Sequence, residues 1–296
     1  MRTEGSRQRG TETAMVTVNG VQLAYEVYGS GETPLVMVHG GWISRRYWNP
    51  VVPRLAQSFR VLSYDRRGHG ESEKPGGQGS IHEDVADLAA LIEHLGLSPA
   101  WVAGQSSGAN IVLRLAAERP DLLQGVIAHE PGLMLLLADD PATAPLLEDV
   151  GQLTSEVMER IASGDYVGAA EQFVKEGLGP GVWSKFPPEL RQDMVENTLT
   201  VVDDLNDPDE SAFDLEWVRE FPHPVLLTKG DRSTPAFEPI VTKLAEAMPM
   251  AEVSEFKGAG HVPHVEKPRE YVATVTAFIE KHRDTPARDF GSLTHS

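Results

Sequence analysis

The sequence predicts an α/β fold: a mostly parallel, eight-stranded sheet flanked by helices. Short runs of β-branched residues alternate with longer stretches of helical periodicity, and most runs are apolar throughout, as expected when both faces of a strand are covered. One interval breaks this alternation, because residues 131–222 carry helical patterns without a convincing strand. We therefore expect a helical lid, inserted between strands 6 and 7, over the carboxyl ends of the strands.

The predicted elements follow in chain order. Asn19-Gly20 is a strong hairpin signal and joins the first two strands. Gly96, Pro120 and Pro249 are expected to end helices. Strands are predicted at residues 16–19, 22–28, 34–39, 60–64, 100–104, 125–129, 224–228 and 251–256. Core helices are predicted at residues 47–57, 81–95, 107–119, 237–247 and 269–282.

These elements divide the chain into a core and a lid. The core comprises residues 15–130 and 223–283, and the lid comprises residues 131–222. Both ends of the chain are polar, and we expect residues 1–14 to be a flexible arm and residues 284–296 a flexible tail.

Composition excludes several classes of function. With 41% hydrophobic residues, the 296-residue chain has enough apolar side chains for a full core. The net charge of −18 disfavours nucleic acid and anionic membranes as partners. The absence of cysteine excludes disulfides, a thiolate nucleophile and cysteine-ligated metals, and it fits a cytoplasmic location. No apolar run is long enough to span a membrane.

The stretch WVAGQSSGANIV, residues 101–112, has the pattern of a strand, a turn and a helix. Its centre, GQSSG, matches G-x-S-x-G, in which a nucleophilic serine projects from a tight strand-to-helix turn. Glycines two positions before and after the serine remove side chains that would collide across the turn. Ser106 is therefore the candidate nucleophile.

Two backbone segments are candidate donors to an oxyanion. A helix that begins at Ser107 directs free N–H groups and its positive end toward the turn, so the N–H of Ser107 is one candidate. The segment VMVHGGW, residues 36–42, ends a buried strand with two glycines. The N–H of Gly41, or that of Gly40, is the second candidate.

A histidine at the same edge of the sheet is needed as the base. GAGHVPH, residues 258–264, follows the last predicted strand and places His261 at this edge. His264 is the alternative, but it lies three residues later, past a proline, and should point elsewhere. His69, in the loop YDRRGHGES, is expected to be structural.

Two carboxylates compete for the place behind this histidine. Glu130 follows the strand at residues 125–129, and Asp231 follows the strand at residues 224–228. Either could accept a hydrogen bond from Nδ1 of His261 while Nε2 takes the serine proton. The residues alone leave both open.

Over residues 15–283, the sequence resembles the α/β-hydrolase family. HGG, the G-x-S-x-G motif, GDRSTP and GAGHVPH occur in the order typical of that family. The resemblance implies the α/β-hydrolase fold and a serine–histidine–acid triad that works without a metal or organic cofactor.

A narrower resemblance concerns the triad acid and the lid. GQSSGA followed by HEP resembles lactonases that open the macrocyclic lactone of zearalenone, and their esterase relatives. This likeness implies that Glu130 is the triad acid and that a lid tryptophan, here Trp183 in GVWSKFPP, covers the substrate. Asp231 departs from the likeness because those lactonases lack it, whereas the broader family places its acid there. We favour Glu130.

The predicted activity is hydrolysis of a carboxylic ester or lactone of a lipophilic small molecule through an acyl-enzyme. A zearalenone-like macrolactone is the most specific prediction. We leave open whether the chain forms a homo-oligomer. Candidates for an apolar substrate cleft are Trp42, Met134, Leu135, Leu136, Leu137, Trp183 and Trp217.

Other activities fit the same motifs. Within enzymes, these are a cofactor-free haloperoxidase or perhydrolase and a carbon–carbon bond hydrolase. Outside enzymes, a small-molecule receptor could keep the triad and use the lid as a switch. Rapid turnover of a simple p-nitrophenyl ester without a lasting adduct would argue against the receptor.

Overall fold

An eight-stranded sheet organises the computed structural model, which describes residues 12–179 and 181–288. Its strands are β1 (Ala14–Val18), β2 (Val21–Tyr28), β3 (Pro34–Val38), β4 (Arg60–Tyr64), β5 (Ala100–Gln105), β6 (Leu123–His129), β7 (Val225–Gly230) and β8 (Ala251–Phe256). The spatial order is β1-β2-β4-β3-β5-β6-β7-β8. Strand β2 pairs antiparallel with β1 and β4, and all later neighbours are parallel. The predicted fold class is confirmed.

The hairpin between β1 and β2 has the backbone that its sequence demands. Asn19 has φ 49° and Gly20 has φ 80°, so both lie in the left-handed region that a two-residue turn of this hand requires. Strand β1 begins at Ala14, so the predicted flexible arm of residues 1–14 extends one residue too far. Residues 1–11 of that arm lie outside the described residues.

The predicted tail, residues 284–296, is only partly described. Its residues 284–288 have no regular secondary structure, and the backbone N–H of Arg288 donates to the carbonyl oxygen of Pro222 at 2.8 Å. This contact attaches the start of the tail to the end of the segment before β7. Residues 289–296 lie outside the part of the chain that the structure describes.

The helices fill the connections between strands. The single helix predicted at residues 47–57 is wrong, because a 3₁₀ turn at Arg45–Trp48 precedes a separate short helix. Pro50 lies between them and has no backbone N–H to donate, so it interrupts the series of helical hydrogen bonds. The α-helices are α1 (Val52–Leu55), α2 (Ile81–His94), α3 (Ser107–Glu118), α4 (Ala144–Ala162), α5 (Tyr166–Gln172), α6 (Val182–Lys185), α7 (Pro188–Glu196), α8 (Thr198–Asn206), α9 (Phe237–Ala247), α10 (Pro263–Glu266) and α11 (Pro268–His282).

Two hydrophobic cores cover the two faces of the sheet. In β3, Val36 and Val38 contribute to the core shared with α2, α3 and α9, whereas Leu35 and Met37 contribute to the core shared with α1 and α11. Because alternate side chains of a strand point to opposite faces, a strand buried on both sides is apolar throughout. The continuous apolar runs in the sequence have this cause.

The segment between β6 and β7, residues 131–222, carries α4 to α8 together with short 3₁₀ and π-helical turns. We call it the helical insertion. Its described residues, 131–179 and 181–222, contain no strand. Asn197 donates from Nδ2 to the carbonyl oxygens of Trp42 (3.3 Å) and Ile43 (3.2 Å), and the hydroxyl of Thr200 donates to the carbonyl oxygen of Gly68 (2.7 Å). The insertion therefore contacts loops at the carboxyl ends of β3 and β4.

Among the described residues, no helix is both long and apolar enough to cross a bilayer.

Candidate active site

Ser106 occupies the turn between β5 and α3. Its backbone has φ 56° and ψ −124°, a conformation that is unfavourable for any residue with a side chain. The Ser106 N–H donates to the carbonyl oxygen of His129 at 3.0 Å, which ties the turn to the neighbouring strand. The strain is maintained by this surrounding structure, and the serine side chain lines a cavity.

The glycines around Ser106 have a steric role. A Cβ atom on Gly104 would collide with the carbonyl group of Gly108, and a Cβ on Gly108 would collide with the carbonyl oxygens of Val38 and His39. The obstructing atoms are backbone atoms, so they cannot move aside like the end of a flexible side chain. The strand and helix approach this closely only because both positions lack a side chain.

The side chains of His261 and Glu130 form a buried pair. Nδ1 of His261 lies 2.6 Å from Oε2 of Glu130, and the two residues are 2% and 0% exposed. The other carboxylate oxygen, Oε1, accepts the backbone N–H of Gly230 at 2.6 Å. One face of the imidazole stacks on Phe237, with ring centroids 4.6 Å apart and an interplanar angle of 12°. The carboxylate and the phenyl ring together fix the orientation of the imidazole.

The electrostatics of this pair favour an ionised Glu130. Burial by itself raises the pKa of Glu130, but the neighbouring His129 and the hydrogen bonds from His261 and Gly230 outweigh burial and lower the pKa from 4.5 to about 2. Burial lowers the pKa of His129 to about 4, and its Nδ1 lies 2.9 Å from Oγ1 of Thr228. The carboxylate therefore remains charged at neutral pH and can hold a protonated imidazole.

Asp231, the alternative acid, points away from the imidazole. It is exposed, and its Oδ1 accepts the backbone N–H of Gly258 at 2.6 Å. Strand β7 extends to Gly230, two residues beyond the prediction, so Asp231 stands at the start of the following turn. The geometry brings Glu130, and not Asp231, to His261.

The remaining histidines of the motifs are packing residues. His264 is fully buried, and its ring lies 4.1 Å from that of Tyr47 and 4.7 Å from that of Trp48. His69 is also fully buried, at 5.1 Å between ring centroids from His39. Burial lowers the pKa of both His264 and His69, so both rings are neutral at physiological pH.

The residues that carry the candidate oxyanion donors lie next to Ser106 or line its cavity. A Cβ on Gly40 would lie 3.3 Å from Cβ of Ser106, so this glycine is in close contact with the nucleophile turn. Gly41 and Ser107 line the same cavity as Ser106. Ser107 is the first residue of α3, where backbone N–H groups have no partner within the helix. The arrangement can present two N–H groups to a developing negative charge.

Arg66 is a functional candidate that the sequence analysis missed. It is 1% exposed and bonded through Nε (3.2 Å) and Nη2 (2.6 Å) to the two carboxylate oxygens of Asp84. Nη1 donates to the hydroxyl of Ser107 at 3.1 Å, and Nη2 lies 3.3 Å from Oδ1 of Asp204 in α8. The arginine therefore connects the core, the nucleophile turn and the helical insertion. Its place in an Arg-Arg-Gly loop after a strand was the available signal.

A cavity of about 340 Å³ opens above Ser106 and His261. A second cavity of about 430 Å³ shares both residues and extends toward Thr234 and Phe237. Most of the first lining is apolar, and its polar members include Asn110, Asp204 and Glu210. The apolar lining is formed by Trp42, Ile43, Tyr47, Met134, Val150, Phe173, Leu178, Phe186, Met194, Val201 and Leu205.

Two of the predicted cleft residues line this cavity. Trp42 is 3% exposed and stacks on Phe173 with ring centroids 5.2 Å apart. Met134 lines both cavities. Phe173, in the insertion, was not predicted, since a lone phenylalanine between helical patterns carries no distinguishing signal.

The other predicted cleft residues lie elsewhere. Trp183 packs against a hydrophobic core, and the guanidinium of Arg191 lies 5.7 Å from the centre of its ring. Trp183 lines neither cavity, so the prediction that it covers the substrate is wrong. Leu135 is 49% exposed, because it occupies the outer side of the turn at Met134–Leu137. Trp217 is 50% exposed beside Arg114.

The last two members of the predicted apolar run are core residues. Leu137 is fully buried and Leu136 packs against the same hydrophobic core. Neither is among the residues that line the two cavities.

Among the side chains that the structure describes, one group has the spacing of a metal site. Ligand atoms of His129, Glu130 and His261 lie within 4.8 Å of one another. Hydrogen bonds already engage Nδ1 of His261 and both oxygens of Glu130. Glu130 and His261 are therefore accounted for as a carboxylate–imidazole pair, and Nδ1 of His129 lies 2.9 Å from Oγ1 of Thr228.

The chain is similar to several known proteins. Over 268 residues the chain is 29% identical to the dihydrolipoyllysine-residue acetyltransferase component of the acetoin cleaving system of Pseudomonas putida, a match that covers 87% of this chain and 66% of that protein. A structure of Est816, an N-acyl homoserine lactone degrading enzyme, is similar at 23% identity and a TM-score of 0.72, covering 90% of this chain and all of that one.

A thermophilic esterase from Thermogutta terrifontis is similar at 24% identity and a TM-score of 0.72, covering 92% of this chain and 99% of that chain. At these identities the two solved structures show the fold alone. The model of the alpha/beta hydrolase family matches residues 35–274, which span β3 to α11 and include Ser106, Glu130 and His261. The chain belongs to the alpha/beta hydrolase family.

Proposed function

We propose that this chain is a serine hydrolase that cleaves a carboxylic ester or lactone of a lipophilic small molecule through an acyl-enzyme. The observation that carries the proposal is the buried pair of His261 and Glu130, at 2.6 Å, beside a strained Ser106 in the same cavity. A neutral imidazole held by a carboxylate is the arrangement that activates a serine hydroxyl.

In the proposed reaction, Nε2 of His261 removes the hydroxyl proton of Ser106 as Oγ bonds to the carbonyl carbon. The N–H groups of Ser107 and of Gly41, or of Gly40, stabilise the negative oxygen of the tetrahedral intermediate. His261 then donates its proton to the departing alkoxide. Water, deprotonated by His261, then attacks the acyl-enzyme. The bond between the acyl carbon and Oγ of Ser106 breaks, His261 returns the proton to Oγ, and the acid is released. Glu130 stabilises the imidazolium in both halves.

The cavity supports a lipophilic substrate. Its volume of about 340 Å³ lies in the range of small-molecule sites, and its lining is mostly apolar. A zearalenone-like macrolactone remains our most specific proposal. Trp183 lies away from the cavity, so the predicted lid tryptophan no longer supports that choice. The hydrogen bond between Glu130 and His261 still supports it.

The experiment is to incubate the protein with zearalenone and with p-nitrophenyl butyrate, and to follow the ring-opened acid and p-nitrophenolate. We expect turnover of the p-nitrophenyl ester that is absent from Ser106→Ala and from heat-denatured protein. Loss of zearalenone above those controls supports the macrolactone. Stoichiometric labelling of Ser106 without turnover would instead indicate a receptor, and failure with both compounds would contradict the proposal.

We also propose that a small-molecule ester or lactone is the partner of this chain and that the chain acts in the cytoplasm. The net charge of −18 and the absence of cysteine support these assignments.

A further inference from the structure

We propose that the cavity selects esters or lactones that carry a hydrogen-bond donor, O–H or N–H, close to the scissile carbonyl group, and that Asn110 and Asp204 accept this hydrogen bond. The inference rests on the proposed function and names the substrate class of the same site. It is carried by two buried acceptor atoms, on residues that line the cavity, for which the described part of the chain provides no hydrogen-bond partner.

The first acceptor belongs to Asn110. This residue is 1% exposed, lies on α3 one turn after Ser106, and lines the cavity. Its Nδ2 donates to the backbone carbonyl oxygen of Glu210 at 2.9 Å, which fixes the amide orientation and leaves Oδ1 as the free end. Among the described residues, Oδ1 has no hydrogen-bond partner. Since buried polar atoms are nearly always hydrogen-bonded, this oxygen lacks a donor that a substrate can bring.

The second acceptor belongs to Asp204. One carboxylate oxygen, Oδ1, faces Arg66 at 3.3 Å, whereas Oδ2 is buried in the cavity wall without a partner in the described part of the chain. A Cβ atom built on Gly41 would lie 3.4 Å from Oδ2. Because Gly41 is a candidate oxyanion donor, Oδ2 lies within reach of substrate groups one or two bonds from the scissile carbonyl. The inference therefore concerns hydrogen-bond donors near the scissile carbonyl group of the substrate, and not donors at its far end.

The charges around these acceptors exclude an anionic substituent. Arg66 is shared by Asp84, Asp204 and the hydroxyl of Ser107, so no cation in this group remains for a substrate carboxylate. Burial, together with the nearby Asp204, raises the pKa of Glu210 above its usual value. Because these surroundings disfavour ionisation of Glu210, they would also disfavour a negative charge on the substrate. A neutral hydrogen-bond donor on the substrate is therefore favoured.

The first test uses the unmodified protein with two matched esters, methyl mandelate and methyl α-methoxyphenylacetate, as separate enantiomers. In the second ester a methyl group replaces the donor hydrogen of the first, and rates are normalised to hydroxide-catalysed hydrolysis. We expect kcat/KM to be about tenfold to a hundredfold higher for the hydroxy ester, as for a hydrogen bond to a charged group. Equal values, or turnover of p-nitrophenyl butyrate without turnover of methyl mandelate, would overturn the inference. Failure of all esters would instead overturn the proposed function.

The second test compares Asp204→Asn with Asp203→Asn, its neighbour in α8, whose side chain does not line the cavity. In Asp204→Asn, the amide oxygen of the new asparagine should stay beside Arg66, so that its NH₂ group, which is a donor, faces the substrate. We expect the preference for the hydroxy ester to fall about tenfold in Asp204→Asn and to persist in Asp203→Asn. The same preference in both variants would assign the selection to another group and contradict the inference.

Discussion

Nδ1 of His261 lies 2.6 Å from Oε2 of Glu130, although 131 positions separate the two residues in the chain. Glu130 follows β6 and His261 follows β8, and both loops leave the same edge of the sheet. Gly230, at the end of the intervening strand β7, donates its N–H to the second oxygen of Glu130. A carboxylate after β6 thus reaches past β7 to a histidine after β8.

The identity of the triad acid is testable by replacing each carboxylate with its amide. Glu130→Gln should lower kcat on the order of 10⁴-fold, because the imidazole loses the anion that fixes its tautomer and stabilises its charge. Asp231→Asn is the matched control, and kcat should change by less than a few-fold. Steady-state rates with p-nitrophenyl butyrate measure both. A severe loss confined to Asp231→Asn would reverse the assignment.

The nucleophile is testable by removing one oxygen atom. Ser106→Ala should lower kcat by 10⁴-fold or more, on the order of the loss of a triad member. The free energy of unfolding should change by less than about 0.5 kcal/mol, since alanine has the same backbone restriction and the removed hydroxyl faces the cavity. Ser155→Ala, at an exposed serine of α4, serves as the control and should retain full activity. Substantial activity in Ser106→Ala would reject the mechanism.

The lowered pKa of Glu130 predicts how stability depends on pH. A carboxyl group whose pKa falls from 4.5 in the unfolded chain to about 2 in the fold stabilises the native state above pH 4.5, and this stabilisation is lost as the pH falls toward 2. The difference in unfolding free energy between wild type and Glu130→Gln should therefore shrink by about 2 kcal/mol between pH 6 and pH 3. Urea unfolding at several pH values measures it, and a constant difference would show that Glu130 has an ordinary pKa.

The close approach of α3 to β3 predicts opposite effects of one substitution at two glycines. Gly108→Ala should destabilise the protein by about 2–3 kcal/mol, because the new Cβ would collide with the carbonyl oxygens of Val38 and His39. Gly151→Ala, within α4 and with no atom within 4 Å of the new Cβ, should stabilise it by about 0.5–1 kcal/mol. Chemical unfolding measures both, and equal effects would show that sterics do not determine the glycine at position 108.

Local patterns in the sequence sufficed where the physical cause is local. Strands β4 and β8 and helix α9 were predicted with their observed ends, because apolar periodicity and neighbouring Gly and Pro residues act within a few positions. The place of Ser106 in a strand–turn–helix unit is equally local, since the glycine spacing follows from clashes within that unit. The helix predicted at residues 47–57 was wrong because the prediction followed the apolar periodicity and did not take account of Pro50.

Local sequence patterns could not predict the contacts between segments that are distant in the chain. From the residues alone, Glu130 and Asp231 were both carboxylates after strands, and only the family resemblance favoured Glu130. The direction of each side chain in the fold separates them. Trp183 and Trp42 were both candidates for the cleft, and the resemblance favoured Trp183. In the fold, Trp183 packs beside Arg191 and Trp42 lines the cavity. Periodicity along one chain determines which residues are buried within an element. Which side chains meet across elements depends on how the insertion, the loops and the sheet pack together, and packing is a property of the whole folded chain.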